Sequence, residues 1–129
     1  MKKFIQFIVL ALLFFSPLKA EVVNDVLIEG NKRVSDETIK IYGQIELNKE
    51  YNEKDLNTLL KNLYETDFFE DVNVTINKNI LKISLKEYPI INQLIITGED
   101  SKRYKDQIKK IIKLKEKRSF VRSYLAKDI

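Results

Sequence analysis

The residue types that perform most enzyme chemistry are missing from this sequence. Its 129 residues contain no His and no Cys, so imidazole bases, thiol nucleophiles and the usual zinc ligand sets cannot be built. Carboxylates are plentiful, but they are spaced as helix caps and strand exteriors. The only glycines, Gly30, Gly43 and Gly98, are too far apart for a phosphate-binding loop. We therefore expect no catalysis, no cofactor and no metal site.

The charge pattern argues against nucleic acid as a partner. The net charge is +4, but Lys2, Lys3 and Lys19 lie in a segment that we expect to be removed, and the remainder carries 20 basic and 19 acidic residues. A balance of +1 is not typical of a nucleic-acid binder. Residues 102–122 are locally basic, and we interpret their lysines as the solvated side of a helix, with contact to anionic lipid or nucleic acid as the alternative.

The N-terminus has the layout of a secretory signal peptide. Lys2 and Lys3 precede an apolar stretch over residues 4–15, and Pro17 follows it. This stretch of twelve residues, interrupted only by Gln6, is shorter than the ~20 residues that a spanning helix needs. Residues 1–20 are thus expected to be a signal peptide cleaved after Ala20, with an uncleaved short anchor as the alternative. Without Cys, the exported part must be stabilised by its core rather than by disulfides.

Residues 21–88 contain the elements that would position a site, in the order strand, helix, helix, strand, strand. Residues 22–30 alternate as a strand, and Ser35 caps a short helix that Gly43 closes. After a polar loop at 48–52, Asn52 caps a second helix. That helix carries an apolar stripe at Leu56, Leu59, Leu60, Leu63 and Tyr64.

A β-hairpin is predicted at the end of this unit. Apolar residues alternate in each of its two strands, which are joined by a three-residue turn at 77–79. Phe68 and Phe69 precede the hairpin, and we expect one ring in the core and the other pointing outward or sideways. The alternating residues are Val72, Val74 and Ile76 in the first strand and Leu81, Ile83 and Leu85 in the second.

The pattern then begins again after Pro89. Leu94, Ile96 and Gly98 stand 68 residues after Val26, Ile28 and Gly30, and a helix capped by Ser101 follows. Residues 89–129 are therefore expected to form part of a second unit, with a strand and helices but no hairpin. We expect this part not to fold stably without the hairpin.

Five segments of the sequence form a recognisable set. They are Glu29-Gly30-Asn31-Lys32-Arg33-Val34, Leu63-Tyr64-Glu65-Thr66, Asp67-Phe68-Phe69-Glu70-Asp71-Val72, Lys86-Glu87-Tyr88-Pro89-Ile90 and Ile96-Thr97-Gly98. Their turn and motif residues include Gly30, Asn31, Arg33, Tyr64, Phe69, Pro89 and Gly98. Together these segments resemble the POTRA family, the polypeptide-transport-associated modules. The resemblance implies an α+β fold with two helices on a three-stranded mixed sheet, in which the last strand is central.

The resemblance also implies a function. Such modules lie in a row at the periplasmic face of the outer membrane and belong to the machinery that assembles outer-membrane β-barrels. The expected partners are unfolded outer-membrane protein precursors, accessory lipoproteins and periplasmic chaperones. The membrane would be reached only through a barrel that this chain does not contain. The alternatives are a two-partner secretion or other barrel translocase, an envelope protein anchored in the inner membrane, and a periplasmic hydrolase.

An edge strand is the candidate binding site. If the last strand of the unit is central, as the resemblance implies, the strand before it has unpaired N–H and C=O groups that could accept an extended peptide. The opposing interpretation is that its polar residues discourage edge pairing. The residues of this candidate peptide-binding edge are Asp71, Val72, Asn73, Val74, Thr75 and Ile76. We expect Arg33 and Glu29 to form a charge pair across the turn between them, to face a partner, or to be solvated.

Overall fold

A computed structural model describes residues 21–128, so the expected cleavage site at Ala20 lies outside the described residues. We call residues 21–88 the first segment and residues 89–128 the second segment. The elements are β1 (Glu21–Val23), β2 (Asp25–Glu29), α1 (Asp36–Gly43), β3 (Lys49–Tyr51), α2 (Glu53–Tyr64), β4 (Phe69–Asn77), β5 (Ile80–Glu87), α3 (Lys102–Ile111) and α4 (Arg122–Asp128).

The first segment is an α+β unit with two helices and a three-stranded mixed sheet, which confirms the expected fold class. The strand order is β2-β5-β4, with the central β5 parallel to β2 and antiparallel to β4. Both helices contribute to one core with the sheet. Its fully buried members include Ile39 of α1, Leu59 and Leu63 of α2, and Leu81 and Ile83 of β5.

The helices begin where the sequence places their caps. Ser35 accepts the N–H of Thr38 at the start of α1. At the start of α2, Asn52 and Asp55 form a reciprocal capping box, which satisfies N–H groups that the helix leaves free. Gly43 is the last residue of α1, but the left-handed position falls one residue later, on Gln44 with φ 53°.

Two strand predictions need correction. The strand expected over 22–30 is interrupted at Asn24, and its first part, β1, pairs antiparallel with β3 instead of joining the main sheet. β3 lies within residues 48–52, which were expected to be a polar loop. Its three residues, Lys49-Glu50-Tyr51, are too few to show an alternating pattern, so only the partner strand reveals them.

The hairpin turn is tighter than expected. β4 and β5 are joined by Lys78 and Asn79 alone, and both have positive φ, as a two-residue turn of type I′ requires. The Asn79 carbonyl accepts the N–H of Asn24 at 2.8 Å, and its side-chain amide donates to the Val22 carbonyl at 2.7 Å. The tip of the hairpin therefore also holds the chain where β1 passes into β2.

The second segment repeats the local geometry of the first. Ile90 and Ser119 form an antiparallel bridge, 68 and 69 residues after the paired Val22 and Glu50. The N–H of Lys117 donates to the Ile91 carbonyl at 2.7 Å, as the N–H of Asn48 donates to Val23 at 2.7 Å. Lys117 and Asn48 also share a positive φ, of 63° and 59°. The sequence repeat thus extends to backbone hydrogen bonds.

The strand expected around Leu94, Ile96 and Gly98 is not formed. These residues have no ladder partner within the described chain, whereas β2 is held by β5. The two equivalent glycines show the same difference. A Cβ on Gly30 would lie 2.0 Å from the Leu85 carbonyl oxygen, but one on Gly98 would meet nothing within 4 Å. None of the helices in residues 21–128 is long and apolar enough to cross a membrane.

Candidate functional site: the free edge of the sheet

β4 forms one edge of the three-stranded sheet. Its nine residues pair only with β5, and no other part of residues 21–128 pairs with its second side. The pairing register shifts between Phe69 and Asp71, so the strand has a bulge near its start. From Asp71 onward the register is regular as far as Asn77. The predicted candidate edge therefore lies on an edge strand.

Tyr64 occupies the beginning of this edge. Its hydroxyl accepts the N–H of Val72 at 3.0 Å and lies 3.4 Å from the Asp71 carboxylate and 3.5 Å from the Val72 carbonyl. The Val72 N–H therefore points away from β5. Since the backbone groups of a strand alternate between its two sides, those of Val74 and Ile76 also face outward.

Val74 and Ile76 thus supply the open part of the edge. Their side chains are partly buried against the core, while Asn73 and Thr75 are exposed on the opposite face of the sheet. A peptide laid along β4 would find two N–H donors and two C=O acceptors at these positions, with Tyr64 covering the next pair. The predicted residues 71–76 all lie in one strand, but only Val74 and Ile76 have outward-facing backbone groups that no described residue covers.

The opposite edge of the sheet is shorter. β2 has five residues against nine in β4, and the Val26 N–H is bonded to the Asp25 carboxylate at 2.8 Å. Leu27, in the middle of β2, is exposed. β4 is therefore the better candidate for strand addition.

The Gly30 turn is a structural element of the first segment. Gly30 has φ +90° and lies against the backbone of β5, where any side chain would overlap the Leu85 carbonyl. Asn31 donates to the Val34 carbonyl at 2.9 Å and to the Asp36 carboxylate at 2.7 Å. Gly30 and Asn31, two of the predicted motif residues, therefore fix the path of the chain from β2 to α1.

Arg33 pairs with Glu87 and not with Glu29. Its Nε lies 3.0 Å from Glu87, and its terminal nitrogen donates to the Tyr88 carbonyl at 2.8 Å. Glu29 instead pairs with Lys82 at 2.9 Å. The Arg33–Glu29 charge pair, one of the three alternatives for these residues, is therefore not formed, because both side chains meet partners on β5.

The Glu87 carboxylate is held by a cluster of donors. One oxygen accepts the N–H groups of Lys32, Arg33 and Val34 at 2.8 to 3.0 Å, and the side chain is only 7% exposed. Burial would raise the pKa of Glu87, but these N–H groups and the Arg33 charge outweigh it and lower the pKa overall. Sequence reasoning missed the role of Glu87, since no local signal links it to a turn 53 to 55 residues earlier.

The two phenylalanines divide as predicted between core and side. Phe69 is 1% exposed, and Phe68 packs edge-on between it and Tyr42, at centroid distances of 6.1 and 5.9 Å. The Phe68 carbonyl accepts the N–H of Tyr88 at 2.9 Å. These rings close the end of the sheet that adjoins the second segment.

A side-chain hydrogen bond joins the two segments. Asp67 has φ 57°, a left-handed conformation that Asp tolerates better than most residues, and its carboxylate accepts the Tyr124 hydroxyl at 2.6 Å. This hydrogen bond raises the pKa of Tyr124. At the same junction, the Pro89 carbonyl accepts the N–H of Phe120 at 2.7 Å. Residues 21–128 show no group of three or more acidic side chains that could hold a metal ion.

Comparisons with known proteins agree with this architecture. A family model, POTRA, described as a surface antigen variable number repeat, matches residues 21–88. The outer membrane protein assembly factor BamA of Neorickettsia risticii is 30% identical over 79 residues, and that of Neisseria meningitidis serogroup B is 33% identical over 91 residues. These alignments cover 61% and 69% of this chain. The chain spans about 11% of the length of each of these curated relatives.

Solved structures of low sequence identity share the fold. The N-terminal domain of Omp85 from Thermosynechococcus elongatus matches with a TM-score of 0.61 and 15% identity, over 86% of this chain and 48% of that one. POTRA1-2 of the periplasmic domain of Omp85 from Anabaena matches with a TM-score of 0.58 and 11% identity, over 87% and 75%. These spans exceed the first segment, so the likeness extends into the second. The chain belongs to the POTRA family.

Proposed function

We propose that this chain is a periplasmic part of the machinery that assembles β-barrels in the outer membrane. The relatives named as outer membrane protein assembly factors, together with the signal-peptide layout of residues 1–20, support this assignment. In this function the chain receives unfolded barrel precursors and contacts accessory lipoproteins or chaperones. The second segment is the beginning of a second module, and its repeated hydrogen bonds support that division at Pro89.

Strand addition along β4 is the proposed mode of capture. The observation that carries it is the outward-facing backbone of Val74 and Ile76, which no described residue pairs. Segments that form membrane barrels alternate with the period of a strand, so they match such an edge without a fixed sequence. Backbone pairing is suited to a site that must accept many different guests.

The complex should be weak. Two residues offer four backbone hydrogen bonds, each worth about 0.5 to 1.5 kcal/mol, while association alone costs at least about 4 kcal/mol. Side-chain contacts must supply any remaining affinity. A weak complex dissociates quickly, which a delivery step requires.

A pair of proline substitutions tests the choice of edge. Val74→Pro removes an outward N–H of β4, and Ile28→Pro removes its counterpart on β2, while the N–H groups that face β5 are kept at both positions. We expect a synthetic peptide of alternating apolar and polar residues to shift the NMR signals of the full chain at Val74 and Ile76. Val74→Pro should abolish those shifts, and Ile28→Pro should not.

If Ile28→Pro abolishes peptide binding and Val74→Pro does not, the binding site lies on β2 instead. Equal binding by both variants would rule out strand addition at either edge. In cells, Val74→Pro in the complete protein should also lower the yield of folded outer-membrane barrels. Unchanged yields and unchanged precursor crosslinking after removal of residues 21–88 would contradict the proposed function itself.

A further inference from the structure

The two segments carry opposite net charges. Residues 21–88 contain 9 Lys and Arg against 14 Asp and Glu, a net charge of −5, whereas residues 89–128 contain 11 against 5, a net charge of +6. Part of this excess lies on α3, which points into solvent. Four more basic residues are in the loop between α3 and α4, which faces the first segment, and the last two, Arg122 and Lys127, are on α4.

A cleft of about 330 Å³ lies between this loop and the first segment. On the side of the first segment it is bounded by the corner at Thr66, Asp67 and Phe68, where α2 passes into β4. On the other side it is bounded by the loop, which includes Val121, and by Tyr124 in the first turn of α4. The Phe68 ring and the Val121 side chain give the cleft an apolar part beside its polar walls.

Five basic residues line the cleft; Arg33 is paired with Glu87, and the other four form no salt bridge. Asp128 lies close to two of these four, Lys113 and Lys115. The ammonium of Lys115 also donates to the Lys109 and Lys110 carbonyls. No carboxylate in the described chain lies within 4.0 Å of the charged nitrogens of these four residues. Glu116, in the same loop, is engaged elsewhere by the Leu94 N–H and by Lys109. Asp67 is the one acid at the cleft, and Tyr124 donates to it. The four cations are Lys113, Lys115, Lys117 and Arg118.

We propose that this cleft binds the carboxylate side chains of an acidic peptide segment from a partner protein. A cluster of cations whose charge is only partly balanced favours an anion, and an Arg among them can hold a carboxylate through two hydrogen bonds. The neighbouring Phe68 and Val121 fit an apolar residue next to the acidic one. A recess between two segments admits a side chain more readily than the flat surface of a bilayer.

The site is separate from the β4 edge. It is built from the loop of the second segment and the corner after α2, and none of its cations comes from β4. Val74→Pro should therefore leave binding in the cleft unchanged, so that failure of the edge and failure of the cleft can be told apart.

The test compares two peptides and two double variants of the full chain. The first peptide is a short Gly/Ser segment bearing Glu and Leu, and the second has Gln in place of each Glu. We expect only the Glu peptide to shift the NMR signals of Thr66, Ser119 and Val121. Lys117→Gln with Arg118→Gln should weaken binding about 10-fold, the loss of two ion pairs at a partly enclosed site.

The matched control is Lys102→Gln with Arg103→Gln, which removes the same charge from an exposed part of α3 outside the cleft. It should change the affinity less than about twofold at 0.15 M salt, because exposed charges beyond ~8 Å are screened. Equal loss in both double variants would overturn the proposal in favour of a long-range charge effect. Equal binding of the Gln peptide, or binding of phosphatidylglycerol vesicles in place of the Glu peptide, would also overturn it.

Discussion

The Tyr64 hydroxyl gives the sharpest test of the β4 edge, because its removal should have opposite effects on stability and on binding. Tyr64→Phe keeps the ring but deletes the acceptor 3.0 Å from the Val72 N–H. The loss of this hydrogen bond should destabilise the first segment by about 0.5 to 1.5 kcal/mol, which is the net worth of one such bond. For a unit of this size, the midpoint of thermal unfolding should fall by a few degrees.

The same change exposes one more backbone pair to a guest. If Val72 then joins Val74 and Ile76 in pairing, it adds two backbone hydrogen bonds. The alternating peptide should then bind about 5- to 150-fold more tightly, the equivalent of ~1 to 3 kcal/mol. Circular dichroism measures the stability, and an NMR titration of the full chain measures the affinity. A less stable variant that binds more tightly is the expected result.

Tyr42→Phe is the matched control. Tyr42 is also a half-exposed tyrosine on a helix, and its hydroxyl makes no hydrogen bond within the described part of the chain. This variant should change neither property. If Tyr64→Phe binds the peptide no better than the unmodified chain, the hydroxyl does not cover a pairing position and the argument for this edge is refuted.

Three further predictions concern the scaffold. Gly30→Ala should destabilise the first segment by ~3 kcal/mol in denaturant unfolding, since its Cβ would overlap the Leu85 carbonyl, whereas Gly98→Ala should change that stability by less than ~0.5 kcal/mol. The lowered pKa of Glu87 stabilises the folded state above its ordinary pKa of about 4.3, and this contribution is lost as the pH falls below it. Glu87→Gln should therefore flatten the acid limb of a stability–pH curve, and an unchanged limb would exclude Glu87 as its source. Amide hydrogens of residues 89–128 should exchange faster than those of the first segment, because their core lacks a covering hairpin; equal protection would contradict this.

Local signals in the sequence were sufficient for the helices and the hairpin. Ser35 and Asn52 begin the helices at which they were predicted, because a cap acts on the N–H groups of the next few residues. The alternating residues of β4 and β5 likewise define which sides face the core. The central position of β5 came from the family resemblance.

Contacts between distant residues could not be predicted in this way. The hydroxyl of Tyr64 reaches Val72 only because α2 lies over β4, and Glu87 finds its donors only when β5 lies next to the turn after β2. The strand expected near Leu94 fails for a related reason. An alternating pattern indicates a tendency to form a strand, but a ladder requires a second strand to complete it.

The two-residue turn at the tip of the hairpin has a consequence for which face of β4 a guest would meet. Side chains and backbone groups both alternate along a strand, so one inserted residue between Lys78 and Asn79 could shift β4 by one position against β5. Asn73 and Thr75 would then face the core, and the outward N–H groups would belong to them instead of Val74 and Ile76. The length of this turn therefore decides which residues of β4 offer their backbone groups to a guest. Natural variants should preserve that length even where the turn residues themselves change.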